Sequence, residues 1–202
     1  MNSMTETATR NSALAAHSNR AWTGSRMIDV LNPSPDDMIL SEIATGLSRE
    51  VRYGGAATIV PWTVAQHSLL CDHLAEADTI SDPTLRLVLL LHDAPEYMLR
   101  DLISPVKHQL PDYQDLESIW WKAVTRKFRL PETIMPTVKH YDMVAASSEK
   151  AALISPYSGD WLGLPPPRPI PAKILGITAK CAALTFQQKV EALLARIENP
   201  NH

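Results

Sequence analysis

Apolar residues recur at three- and four-residue steps through most of this chain, the spacing that lines one face of an α-helix. Met38, Ile39, Ile43, Ala44 and Leu47 keep that spacing, with Ser41 as the expected N-cap. Thr63 is a capping residue ahead of Val64, Leu69, Leu70, Leu74 and Ala77, and the helix these define carries His67. Asp82-Pro83 is a start signal, an N-cap followed by proline at the first helical position. The run from Leu85 to Leu91 is apolar on nearly every side, so this helix is expected to be the most buried. Leu116, Ile119, Trp120, Ala123, Val124 and Phe128 mark an amphipathic helix over 112–128, ended by Leu130-Pro131. A helical stretch from Glu132 to Ile154, interrupted near Pro136, is expected to bury Val138, Met143, Ala146 and Leu153, with Asp142 among them. A last helix over 172–197 closes the chain.

Three stretches break the pattern. Trp22 to Pro35 reads as a packed arm ending in a turn, and Ser48 to Trp62, with Gly54-Gly55 and Pro61, as a loop. Pro165 to Pro171 holds five prolines, so it is neither helix nor central strand but an extended connection. With no alternating strand pattern, the expected fold is all-α, a single-domain helical bundle over residues 21–202 behind a mobile segment at 1–20. At 202 residues the chain supplies one well-buried core rather than two.

Composition narrows the function classes. The formal net charge is −3, which offers no general attraction to a nucleic-acid polymer. No stretch approaches the roughly 18 apolar residues of a membrane span. Only Cys71 and Cys181 occur, which argues against a disulfide framework and for a cytoplasmic location. Both are expected to pack as small apolar groups.

The chemistry concentrates in Leu90-Leu91-His92-Asp93-Ala94-Pro95-Glu96-Tyr97-Met98-Leu99-Arg100-Asp101, where polar groups follow directly on an apolar helix. Burying such groups is costly unless they are paired or bound to a cation. On a continuous helix His92 and Glu96 share a face, and Asp93 points about 100° away. His92 and Asp93 suit a divalent cation, with Glu96 one turn on beside its water. His67 and Asp142 are the natural third and fourth ligands. His73, His108 and His140 raise the option of a second metal, but His140 and Asp142 face about 200° apart on a helix, and surface positions explain these histidines better. Trp120-Trp121 reads as helix-packing material or an oligomer contact.

The order of these residues resembles the HD-domain metal-dependent phosphohydrolases, and within them the bacterial 5′-deoxynucleotidase branch and related phage dNTPases. The resemblance is carried by Ser48 to Gly55, Trp62-Thr63-Val64-Ala65-Gln66-His67-Ser68, Leu90 to Tyr97, Asp101 to Lys107 and Tyr141-Asp142, with core motifs over 48–154. It implies an all-α fold, one divalent ion (Mn, Co, Fe, Ni, Zn or Mg) held by His67, His92, Asp93 and Asp142, and a homodimer. Glu96 and Asp101 would handle the proton and orient the attacking water. Arg52, with Lys107, would hold the substrate phosphate, and Tyr53 would pack against the nucleoside. Thr63 and Gln66 stand where the pattern often has Ser and Glu, and Arg100 where a glycine is common; pairing of Arg100 with Asp101 would weaken that acid. The expected activity is removal of phosphate from deoxynucleoside 5′-monophosphates. The alternatives are release of triphosphate from a dNTP, with Arg49 and Arg100 as further basic groups, and a metal- and nucleotide-binding regulatory module without turnover.

Overall fold

A computed structural model describes residues 19–159, 161 and 163–199, so most of the N-terminal segment expected to be mobile lies outside the described residues. The fold is all-α as expected, with 60% helix and 6% strand. Besides two isolated bridges, the strand is a short antiparallel hairpin, β1 (Arg20–Trp22) against β2 (Met27–Asp29), which begins two residues before the packed arm expected over Trp22 to Pro35 and runs into it. Three-residue strands are too short to show an alternating pattern. Among the described residues, no helix is long and apolar enough to cross a membrane.

Helix α1 (Leu40–Leu47) starts from Ile39 rather than Ser41, and Ser34 flanks a separate 3₁₀ turn at Pro35–Asp37. Helix α2 (Val64–Ala77) is capped as expected by Thr63, whose hydroxyl accepts from the Gln66 amide while Gln66 reaches back to the Thr63 amide. Glutamine thus completes the reciprocal cap that a glutamate would make. Helix α3 (Pro83–Leu91) is capped by Asp82, and Leu87, Val88, Leu89, Leu90 and Leu91 are fully buried. It is the centre of the core, with α2, α7 (Pro136–Leu153) and α9 (Ala179–Glu198) packed around it.

Two short helices, α4 (Glu96–Leu99) and α5 (Ser104–Lys107), lead to α6 (Pro111–Phe128). On α6, Trp120 is buried and its indole N–H donates to the Val30 carbonyl at 2.8 Å, anchoring the hairpin arm; Ile119 is exposed. Pro136 sits at the first turn of α7, so residues 132–135 are not helical. On α7 the buried positions are Val138, Tyr141, Val144, Ala145 and Leu153 together with Ser147, Ser148 and Glu149, whereas Met143 and Ala146 are only partly covered. The expected C-terminal helix is broken at Gly176 into α8 (Ala172–Leu175) and α9.

Two contacts tie the helices together. Gly46 of α1 lies against Tyr97 of α4, and a Cβ there would sit 2.8 Å from the Tyr97 Cβ and 3.0 Å from its carbonyl oxygen. Asp72 of α2, fully buried, accepts two hydrogen bonds from Arg86 of α3 at 2.7 and 3.0 Å and one from Lys189 of α9 at 2.6 Å. Gly46→Ala is expected to cost about 1–3 kcal/mol by overpacking, read from urea unfolding. Asp72→Ala removes the buried carboxylate shared by Arg86 and Lys189, leaves Arg86 only its 3.1 Å contact with Glu76, and is expected to cost up to about 3–5 kcal/mol in the same assay.

Candidate metal centre

Four of the residues expected as ligands converge. His67 comes from α2, His92 and Asp93 from the turn after α3, and Asp142 from α7. His67 Nε2 lies 3.1 Å from Asp142 Oδ1 and 3.7 Å from Asp93 Oδ2, and His92 Nε2 lies 3.3 Å from Asp93 Oδ2 and 4.0 Å from Asp142 Oδ1. Ligand atoms about 2.0–2.2 Å from one cation stand about 3.0–3.5 Å apart, so this set needs little movement to close on an ion.

The continuous helix expected through His92 and Glu96 does not form. Helix α3 ends at Leu91, and Ala94 takes the Leu91 carbonyl in a tightened turn. Pro95 has no N–H to continue the ladder. Where the helix ends the two neighbouring side chains still meet, with Asp93 Oδ2 3.3 Å from His92 Nε2.

Both imidazoles present Nε2 to the centre because their other nitrogen is engaged. His92 Nδ1 donates to the Leu89 carbonyl at 2.9 Å, and His67 Nδ1 donates to Glu149 Oε1 at 2.6 Å. His92 Nε2 is buried with no hydrogen-bond partner. His67 Nε2 faces two carboxylates, an arrangement that calls for positive charge between them, either a second proton or a cation. Burial and the Arg52 cation oppose a charged His67, but the Cys71 sulfur, Glu149 and Asp142 outweigh them and raise its pKa well above the usual imidazole value. The Asp142 carboxyl, against the pull of burial, is held below its usual range by the hydrogen bond and charge of His67 and by His92. Asp142 is not sequestered in the apolar stripe: its side chain is 39% exposed and forms the open side of the centre, while that of His67 is fully buried.

Glu149, which the sequence reading missed, is the fully buried base of the site. It stands seven residues after Asp142, two turns along the same face of α7, and that spacing is the signal that could have found it. Its second oxygen accepts from the Tyr53 hydroxyl and lies 3.3 Å from Arg52 Nε. Burial pushes its pKa up, but His67 and Arg52 pull it well below the usual carboxylate range. Cys71, one turn beyond His67 on α2, is the other addition, with its sulfur 3.5 Å from His67 Nε2. His67, Cys71 and His92 place one ligand atom each within 4.8 Å of one another, a group that could hold a metal ion. Cys181, also expected to be packed, is exposed.

The loop 48–63 delivers Arg52 and Tyr53. Val51 pairs with Thr63 across its neck, and Tyr53, Gly54 and Gly55 turn the chain with positive φ angles of 60°, 66° and 73°. Arg52 Nη1 donates to Asp93 at 3.3 Å. The Tyr53 hydroxyl is committed to Glu149, and its ring is 5.8 Å from that of Trp161. The Tyr53 amide donates to Asp101 at 3.3 Å. Arg100 bonds Glu50 at 2.6 Å rather than Asp101, and Glu50 also accepts from the Asp101 amide at 3.2 Å. Arg100 has φ 78°, the conformation a glycine adopts freely.

Glu96 is buried, with Oε1 3.6 Å from Lys107 Nζ and Oε2 without a hydrogen-bond partner. Burial, with Asp93 and Asp101 nearby, raises its pKa well above the usual carboxylate range, and burial raises that of Asp101 in the same sense. Lys107 is held at 2.7 Å by Glu117. His92, Glu96, Lys107, His108 and Trp121 line a cleft of about 420 Å³. The larger cleft, about 770 Å³ between Lys150, Trp161 and the proline run, contains none of the ligands.

No protein-family model matches the chain. It is similar to an uncharacterized protein of Rhodobacter capsulatus, 39% identical over 126 residues, or 59% of this chain and 64% of that protein. It is also similar to the uncharacterized protein YfdR of Escherichia coli K12, 30% identical over 118 residues, or 58% of this chain and 62% of that protein. The chain thus spans a little under two thirds of the length of these curated relatives.

Proposed function

We propose that this chain is a divalent-metal-dependent phosphohydrolase that removes phosphate from deoxynucleoside 5′-monophosphates. The observation that carries the reading is the convergence of two imidazoles and two carboxylates, in which the buried Nε2 of His92 makes no hydrogen bond yet faces Asp93 at 3.3 Å. The donor set fits a divalent ion of the Mn, Fe, Co, Ni or Zn class. When bound, such an ion supplies Lewis acidity, lowering the pKa of water and offsetting charge on phosphoryl oxygens.

The surrounding residues have roles that suit a phosphate monoester. Arg52 is fixed beside Asp93 by its contact with Glu149 and offers paired donors to a phosphate. Glu96, shifted towards its protonated form, is placed in the cleft to give a proton to a leaving 5′-oxygen. Asp101, held by the Tyr53 amide, is the second candidate for handling the proton. Glu149 touches no substrate position; it is a positioning residue that holds His67 and Arg52. Arg100 is engaged by Glu50, and Arg49 lines a separate groove beside Lys180, so Arg52 and Lys107 are the basic groups nearest the acids. That supply favours one phosphoryl group over three. The proposal includes a cytoplasmic location, in keeping with two free cysteines, and a homodimer, which rests on the resemblance alone.

Purified protein loaded in turn with Mn, Co, Ni, Zn and Mg is expected to release inorganic phosphate from deoxynucleoside monophosphates, and Asp93→Ala to reduce release to background. Absence of product from every nucleotide, or equal release by Asp93→Ala, overturns the reading. Triphosphate release from dNTPs points instead to the triphosphohydrolase, and tight nucleotide binding without turnover to a regulatory module. Glu149→Gln is expected to weaken metal binding roughly 10–100-fold in a competition titration with a chromophoric chelator. Unchanged affinity would show that Glu149 does not orient His67.

A further inference from the structure

The centre contains one potential ligand that the phosphohydrolase reading leaves idle. Cys71 follows His67 by four residues on α2, so the two side chains lie one above the other on the same helix face. Its sulfur is fully buried, 3.5 Å from His67 Nε2 and 3.9 Å from the Tyr141 carbonyl. For a tetrahedral ion about 2.3 Å from sulfur and about 2.0–2.1 Å from nitrogen, the sulfur-to-nitrogen edge is about 3.5 Å, so His67 and Cys71 already stand at ligand spacing. The independent pointer to a bound ion is His92: its side chain is 5% exposed, its Nε2 has no hydrogen-bond partner, and it lies within 4.8 Å of both other ligand atoms.

We propose that Cys71 is an alternative inner ligand, so that two overlapping sets share the imidazoles of His67 and His92. One set is completed by the carboxylates of Asp93 and Asp142, and the other by the Cys71 thiolate. The carboxylate set suits hard ions such as Mn²⁺ and Mg²⁺, and the thiolate set recruits Zn²⁺, Cd²⁺ and Co²⁺. Binding in the thiolate set replaces the S–H bond by a sulfur–metal bond, and the proton leaves to solvent past Asp142 on the open side. There is no change of oxidation state. Cys71 therefore sets which metal the protein retains. This inference rests on the reading of the site as a metal centre.

The test is a Co²⁺ titration of the full chain carrying Cys181→Ser, which leaves Cys71 as the only thiol. A near-ultraviolet sulfur-to-cobalt charge-transfer band that saturates at one equivalent is the expected result. Adding Cys71→Ala is expected to abolish the band and to lower Zn²⁺ affinity by no less than the roughly 10-fold cost of losing an outer partner, while Mn²⁺ affinity is unchanged. Thermal melting checks that this second variant is folded; if it is not, the band in the Cys181→Ser protein decides alone. Cobalt bound without a charge-transfer band overturns the thiolate proposal and leaves the metal centre standing. Failure of both Co²⁺ and Mn²⁺ to bind overturns the metal-centre reading as well.

Discussion

A carboxylate taken wholly out of water costs several kcal/mol unless its lone pairs and its charge are answered where it lies. Glu149 is answered from three directions, by the His67 imidazole on α2 and by the Arg52 guanidinium and Tyr53 hydroxyl of the loop 48–63. The same contacts that make the buried carboxylate tolerable orient His67 and bring Arg52 up to Asp93. A helix, its neighbour and an otherwise irregular loop are thereby held in one register, and the register is that of the centre.

The second constraint is the end of α3. A helix of fully buried leucines cannot run on into a cluster of charged groups without burying them too. Pro95, having no N–H, ends the ladder where the chain reaches the edge of the core. His92 and Asp93 emerge at the rim, close enough to act on one ion. Glu96 re-enters the interior in α4, and its buried, proton-retaining carboxyl is the result. The close approach of Gly46 to Tyr97 holds this turn against α1, so the site is braced from the core side as well as from the loop.

Much of this was legible in residue order because helix signals are local. Thr63 and Asp82 cap where expected, and the apolar run 85–91 is the centre of the core, since a cap or a fully apolar helix surface needs no knowledge of distant partners. The hairpin at Arg20–Asp29 was not legible, since three-residue strands show no alternation. Ser41, expected as an N-cap, lies instead inside the first turn of α1, whose N-cap is Ile39.

For the site, the sequence by itself determined which residue types were present and marked His67, His92, Asp93 and Asp142 as candidate donors, because imidazole and carboxylate among apolar residues demand a partner. Only the tertiary structure decided how they meet. It set Asp93 against His92, placed Asp142 at the open side instead of in the core, gave Arg100 to Glu50, and brought in Glu149 and Cys71. The reason is physical. Helix periodicity shows which residues share a face, but not which other element that face meets, and hydrogen-bond partners 82 residues apart, as His67 and Glu149 are, are chosen by packing.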